Sequence, residues 1–313
     1  MAILVVNPYA GVNWATYEQY KANFHTHTNE SDGAATPAAT IDLYDAAGYE
    51  ILALTDHDLT SYPWSTYSKD PAALGMIAVA GQEISTNDHI VALFSTEAAY
   101  EDADEDATVA DIAAHNGLVI MAHPGQYINN DVKDTFYAQL KLDYPLLNGI
   151  EVYNQGDKYE TDRRIWDRVN ILTMGGYTNK KPVWGYANDD MHTVANRFCD
   201  FNFMLMPELT ETALKTCMTN GAFYFCYEPG KTGTADVPRI SSIVVDEEAH
   251  TITIAGTDYT SVEWHSEIEV VGTDEVFDYN IFHGVFVRAV LVSATGKTYT
   301  QPFGFNHEVA VIL

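Results

Sequence analysis

Histidine and carboxylate side chains recur in this chain at places where the backbone would aim them at one point. His25 and His27 form an HxH pair in FHTHT, just after a short apolar run. On an extended segment, side chains two residues apart point to the same side, so both imidazoles can reach one cation. His57 closes ILALTDHD, Glu83 closes MIAVAGQE, His123 closes LVIMAHP, and Asp190 and His192 close PVWGYANDDMH. Imidazole mixed with carboxylate suits Zn²⁺, Mn²⁺ or Fe²⁺ and disfavours Ca²⁺. A single such histidine is usually a hydrogen-bonded core residue. Five independent strand ends carrying such side chains point to a shared metal site.

His89 opens HIVALF, six residues beyond Glu83, and reaches that site only if an antiparallel hairpin returns it beside Glu83. The remaining histidines, His115, His250, His265, His283 and His307, fall in a helix or in the C-terminal β-rich segment and read as structural or solvated.

Elements that could position these side chains follow from the hydrophobic pattern. Between about residues 22 and 227, short apolar runs alternate with amphipathic stretches. Thr36 can cap a helix with Pro37 at its first position and Gly48 as its stop. Further helices are expected over Thr108–His115, about Asp131–Leu142, Tyr159–Met174 and Glu211–Asn220. Strand–helix alternation predicts a parallel α/β fold, and roughly seven repeats favour a barrel. In such a barrel the C-terminal ends of the strands open on one face, where sites are built. After about residue 238 the texture changes to ISSIVVD, TITIAG, VEWHSEIEVVG, GVFVRAVLVS and EVAVIL, which reads as a small antiparallel β domain. The expected organisation is an extension over 1–21, a barrel over 22–237 and a β-sandwich-like domain over 238–313.

Composition restricts the partners. A chain of 313 residues with 47% hydrophobic and 19% charged residues can bury a large core without a structural metal. Its formal charge of −28, from 16 Lys+Arg against 44 Asp+Glu, repels phosphate backbones, so nonspecific nucleic-acid binding is not expected. An anionic substrate would need cations in the pocket to reverse the local sign. The three cysteines contain no CxxC pair and fit free thiols in a reducing compartment. Neither a signal-peptide pattern nor a membrane-length apolar run is evident, and the expected location is the cytoplasm.

FHTHTNESDG, LTDHD, GQEIS with HIVALF, MAHPGQY and NDDMH, in that order, resemble the polymerase-and-histidinol-phosphatase (PHP) metal hydrolases over about residues 22–227. GIEVYN followed by RRIWDRV resembles the branch of stand-alone metal-dependent phosphoesterases, some with a trailing β domain. The resemblance implies a distorted seven-stranded β/α barrel. It implies that His25, His27, Glu83 and Asp190 bind a first metal, and that Glu83 bridges to a second held by His89 and His123. Asp32, His57 and His192 would form a third position, where trinuclear members often have histidine in place of Asp32.

The implied activity is hydrolysis of a small phosphate mono- or diester with two or three Mn, Zn or Fe ions, which would activate water at neutral pH. His57 or His192 could protonate the leaving oxygen. Arg197, five residues beyond His192, is the expected phosphate clamp. Arg163 and Arg164 are expected to pair with Glu160 or Asp167, and Glu151 to orient a ligand. The alternatives are a carboxylic or carbamate ester hydrolase and a non-catalytic metal-binding scaffold.

Overall fold

A computed structural model describes residues 2–96, 104–127, 133–176 and 180–307. The closing run EVAVIL and the expected helix start at Asp131 lie outside these residues. The strands, in chain order, are β1 (Ala2–Val6), β2 (Glu18–Asn23), β3 (Ile51–Ala53), β4 (Ile77–Val79), β5 (Gly81–Ile84), β6 (Ile90–Leu93), β7 (Leu118–Met121), β8 (Leu147–Asn154), β9 (Trp184–Asn188), β10 (Asp200–Met206) and β11 (Phe223–Tyr227). The C-terminal part adds β12 (Arg239–Asp246), β13 (Thr251–Thr257), β14 (Ser261–Ser266), β15 (Glu269–Gly272), β16 (Val276–Asp278), β17 (Phe286–Val292), β18 (Lys297–Tyr299) and β19 (Phe303–His307).

The fold is mixed α/β, and among the described residues its ladders do not close into the expected seven-stranded barrel. Strands β5 to β9 form one sheet in sequence order. A second sheet runs β1-β19-β17-β18-β11-β10-β2-β3-β4, with β14 and β15 attached at β17. Strands β12, β13 and β16 form a third. Isolated parallel bridges, His57 to Glu83 and Thr26 to Met191, stitch the first two sheets together at the end that carries the histidines.

The expectation of purely parallel pairing fails for a geometric reason. Parallel neighbours need a crossover of a dozen or more residues. The helices Lys133–Asp143 and Thr161–Met174 supply such crossovers for the parallel pairs β7–β8 and β8–β9. Between β5 and β6 the chain has only residues 85–89, so these strands pair antiparallel. MIAVAGQE, read as one strand, splits into β4 and β5, which belong to different sheets. The chain changes sheets beside Gly81, where a Cβ would sit 2.9 Å from the Ala92 carbonyl oxygen.

Strands β5 to β9 are buried throughout, as the continuous apolar runs IVAL of β6 and LVIM of β7 require. The helix Pro37–Ala46 begins at Thr36, whose side chain accepts from Ala39 N, and Gly48 follows it with φ +71°. The helix expected from Thr108 starts earlier, at Glu105, because Asp104 caps it.

Residues 1–21, read as an extension, contribute β1 and the start of β2 to the large sheet, with Ala2 opposite His307. Likewise β18 pairs with β11, so the C-terminal strands continue the same sheet. VEWHSEIEVVG folds as the β14–β15 hairpin. A buried ion pair, Arg288 Nε and Nη2 to the Asp167 carboxylate at 2.9 and 2.8 Å, ties β17 to the helix Thr161–Met174. No helix among the described residues is long and apolar enough to cross a membrane.

Candidate metal centre

The C-terminal ends of β2, β5, β7 and β9 and the turns that follow them meet at one end of the sheets. Loop 25–33 carries His25, His27 and Asp32 and is fastened by Asp56. That carboxylate accepts from Thr28 N at 2.7 Å, Thr28 Oγ1 at 2.8 Å and Ser31 Oγ at 2.7 Å. Gly33 lets the loop close, since a Cβ there would lie 2.6 Å from the His27 carbonyl carbon. His123 and Asp190 occupy left-handed backbone, φ +27° and +43°. Strain on the order of 1–3 kcal/mol each is typical of sites where surroundings over-determine the backbone.

The innermost group is a cage of His25, His27, Glu83 and Asp190, all buried. Glu83 Oε2 lies 3.1 Å from both His25 Nε2 and His27 Nε2. Asp190 Oδ1 is 3.5 Å from His25 Nε2 and 3.1 Å from His27 Nε2, and the two Nε2 atoms are 3.1 Å apart. A tetrahedral ion with bonds of about 2.0 Å has donor–donor edges of about 3.3 Å, so the cage fits such an ion. Glu83 Oε2 and Asp190 Oδ1 are buried without a hydrogen-bond partner, which a cation at the centre would remedy.

The other Glu83 oxygen faces a second set. Oε1 lies 3.0 Å from His89 Nδ1 and 2.9 Å from His123 Nε2. The β5–β6 hairpin is what returns His89 to Glu83. Asp32, His57 and His192 gather at the rim. His192 Nε2 lies 3.3 Å and His57 Nε2 3.7 Å from Asp32 Oδ2. His57 also faces inward, its Nδ1 3.3 Å from Glu83 Oε2, so it borders both the rim and the interior. Asp32 itself is 55% exposed, the least enclosed of the nine candidates.

Electrostatics bind the group together. Burial opposes charge on His25, yet Glu83, Glu151 and Asp190 raise its pKa well above the imidazole range. For His27 burial is likewise outweighed, by Asp190 and Glu83, and the pKa rises to about 9. Burial would raise the Glu83 carboxyl, but His25, His123 and His27 hold it well below the usual range. Asp190 is depressed in the same way by His25, His192 and His27. Burial lowers His57, whereas Asp190 overcomes burial to raise His192.

A cation entering the metal-free cage must therefore displace protons, and apparent affinity should climb with pH towards about 9. Manganese titration by calorimetry at pH 7 in buffers of different ionisation enthalpy should show proton release; binding with none would contradict this. The raised His27 pKa stabilises the metal-free fold below the ordinary imidazole range, and that contribution is lost as pH rises through about 9.

Glu151 stands behind the cage. It accepts from His25 Nδ1 at 2.9 Å, Asn188 Nδ2 at 2.9 Å, His123 N at 3.0 Å and Asn154 Nδ2 at 2.8 Å. The pairing fixes His25 with Nε2 towards the cage. Glu151→Gln should weaken metal binding about 10- to 100-fold in a competitive-chelator titration. Unchanged affinity would remove Glu151 from the account.

Arg197, the expected clamp, stacks near an aromatic ring and is not among the described residues that line the cavity. Asp189 accepts from Phe198 N at 2.7 Å and Cys199 N at 2.9 Å, pinning the loop so that the Arg197 guanidinium lies 5.2 Å from the Phe198 ring centre. Among the described residues, the cation lining the cavity beside the centre is Lys158, accompanied by Gln126, Gln155 and Asn196. Sequence reading passed over all four, because polar residues in turns carry no signal of their own. Arg163 pairs with Asp157 rather than Glu160 or Asp167. Asp189, Cys199 and Asp200 also cluster, but backbone N–H groups and the Tyr44 hydroxyl already fill the Asp189 oxygens, which makes it a loop anchor.

No family model matches the sequence, and no curated protein matches it. Solved structures do. A two-domain protein from Bacteroides vulgatus containing a predicted PHP-like metal-dependent phosphoesterase superimposes with a TM-score of 0.56 at 17% identity, over 98% of this chain and 91% of that one. This chain therefore shares the fold of that two-domain protein, its PHP-like part included, along nearly its whole length. A protein from Bifidobacterium adolescentis assigned as a metal-dependent phosphoesterase matches with a TM-score of 0.45 at 16% identity, over 64% of this chain and 96% of that one. An amidohydrolase from Chromobacterium violaceum, with bound sulfate and no metal, matches with a TM-score of 0.41 at 19% identity, over 55% of this chain and 87% of that one.

Proposed function

We propose that this chain is a PHP-type metal-dependent hydrolase that cleaves small phosphate mono- or diesters. The observation that carries the reading is Glu83, whose two carboxylate oxygens face two different histidine sets within 3.1 Å. His25, His27, Glu83 and Asp190 would hold a first cation, and Glu83, His89 and His123 a second. Asp32, His57 and His192 would offer a third position. When bound, Mn, Zn or Fe ions supply Lewis acidity and a nucleophile at neutral pH.

The chain's own residues do the rest. Glu151 holds His25 in the tautomer and orientation that leaves Nε2 free. Where no third cation is held, His192, at the rim with its pKa raised by Asp190, is placed to give a proton to a leaving oxygen, and His57 is the other candidate. Residence in the cytoplasm, with a small molecule rather than nucleic acid as substrate, belongs to the same proposal.

Among the described residues a single lysine lines the cavity of a chain with formal charge −28, and this favours a second reading, hydrolysis of a carboxylic or carbamate ester. Manganese-loaded protein assayed on 4-nitrophenyl phosphate and 4-nitrophenyl acetate separates the two. The larger kcat/KM is expected for the phosphate; the reverse order would transfer the assignment to the ester. No turnover of either by metal-replete protein would leave a metal-binding scaffold.

A further inference from the structure

Gln126, Gln155, Lys158 and Asn196 line the cavity without belonging to the metal cage. Lys158 is the single Lys or Arg among the described lining residues, and none of the lining side chains is aliphatic. Its Nζ donates to Gln155 Oε1 at 2.9 Å, and Gln155 Nε2 donates to Asp190 Oδ2 at 3.0 Å. One amide thus connects the cation to the metal cage. Among the described residues no carboxylate pairs with Lys158, although the chain carries 44 acids against 16 bases. Besides Gln155, the ammonium lies 5.0 Å from the centre of the Tyr159 ring, so its neighbours leave the positive charge unneutralised.

The backbone is built to hold this arrangement. Strand β8 ends at Asn154, and the next residues turn sharply, Gln155 with φ +49° and Gly156 with φ +83°. Glutamine resists left-handed backbone, which glycine accepts. The turn is enforced by Gly156 N donating to the buried Asp200 carboxylate at 2.5 Å and by Asn154 N donating to the Gly156 carbonyl at 3.1 Å. Across the cavity the Tyr159 hydroxyl donates to Gln126 Oε1 at 2.6 Å and fixes that amide.

We infer that Lys158, carried by Gln155, binds the phosphoryl group of the substrate, and that the site takes phosphate monoesters of small polyhydroxylated alcohols. The inference rests on the phosphoesterase reading. One cation besides the metals matches one phosphoryl group. Gln126 and Asn196 each offer a donor and an acceptor, the pair of functions a hydroxyl needs. A cavity of about 360 Å³ holds a small ligand, and among the described residues its lining provides neither an aliphatic wall for a base nor a clamp for a second phosphate.

Kinetics and calorimetry on the manganese-loaded full chain test both parts. Lys158 is exposed, so its replacement does not threaten the fold. Lys158→Met should raise KM for 4-nitrophenyl phosphate about 10- to 100-fold with kcat nearly unchanged, as loss of a hydrogen bond to a charged group predicts. The Kd for inorganic phosphate should weaken by the same factor, and Lys158→Arg should recover most of both. The ratio of aryl-phosphate to aryl-acetate kcat/KM should fall with it. Unchanged KM and phosphate Kd in Lys158→Met would overturn the role of Lys158 and leave the phosphoesterase reading standing. Absence of aryl-phosphate turnover by the unaltered chain would overturn both. For the substrate class, glycerol 2-phosphate should exceed adenosine diphosphate in kcat/KM, and the reverse order would overturn it.

Discussion

Glu83→Ala is expected to lower aryl-phosphate turnover by about 10³-fold or more, beyond the 10- to 100-fold that loss of an outer partner costs. The reason is its double employment. Oε2 closes the cage of His25 and His27, while Oε1 meets His89 and His123. Without it, those imidazoles lose the carboxylate they share, and cations lose a common ligand. The loss should appear in metal content as well as in rate. The fold should survive, because Glu83 stands at the end of β5 and the strand's apolar neighbour Ile84 stays packed. A Glu83→Ala protein that keeps its metal and a tenth or so of its activity would contradict the shared-ligand arrangement.

Arg288→Met is expected to cost about 3–5 kcal/mol of stability, the largest effect foreseen away from the centre. The guanidinium is buried in bidentate contact with Asp167, and both side chains are at most 4% exposed. Removing the arginine strands a buried carboxylate, which is costlier than never having the pair. At about 2–4 °C per kcal/mol, the melting temperature should fall by about 10 °C. Replacing both partners with apolar residues of similar volume should restore most of the loss, and differential scanning calorimetry on the single and double variants would show it. A single variant melting within about 1 °C of the parent would place this pair among those that contribute little.

The strand-end residues of the centre were legible because strands have directions. A histidine or carboxylate at the polar end of ILALTDHD or LVIMAHP has a place to point, and the structure brings those ends together. His89 was legible from the residues only through the hairpin, whose loop is too short for a parallel crossover, and the family resemblance pointed to it as well. Asp32 was not legible from the residues, since SDG is an ordinary turn, and it came with the family resemblance alone.

Lys158 and Gln155 were invisible for a related reason. Their position depends on a left-handed turn held by Asp200, far along the chain. Arg197 was expected at the site because its loop follows Asp190, and its guanidinium lies 5.2 Å from the Phe198 ring centre. Strand β1 was missed because its partner β19 lies some three hundred residues away, beyond the reach of local pattern. The split of MIAVAGQE into two sheets and the antiparallel pairs that break the expected barrel likewise depend on close approach and loop length, which apolar runs do not record.

Elemental analysis of the purified chain, paired with aryl-phosphate turnover before and after chelation, tests the central claim most directly. Two or three equivalents of Mn, Fe or Zn per chain are expected, with turnover lost on chelation and restored by added metal. Less than one equivalent, with none taken up on addition, would mean that His25, His27, Glu83, His89, His123 and Asp190 converge without forming a metal site, and the account would be wrong.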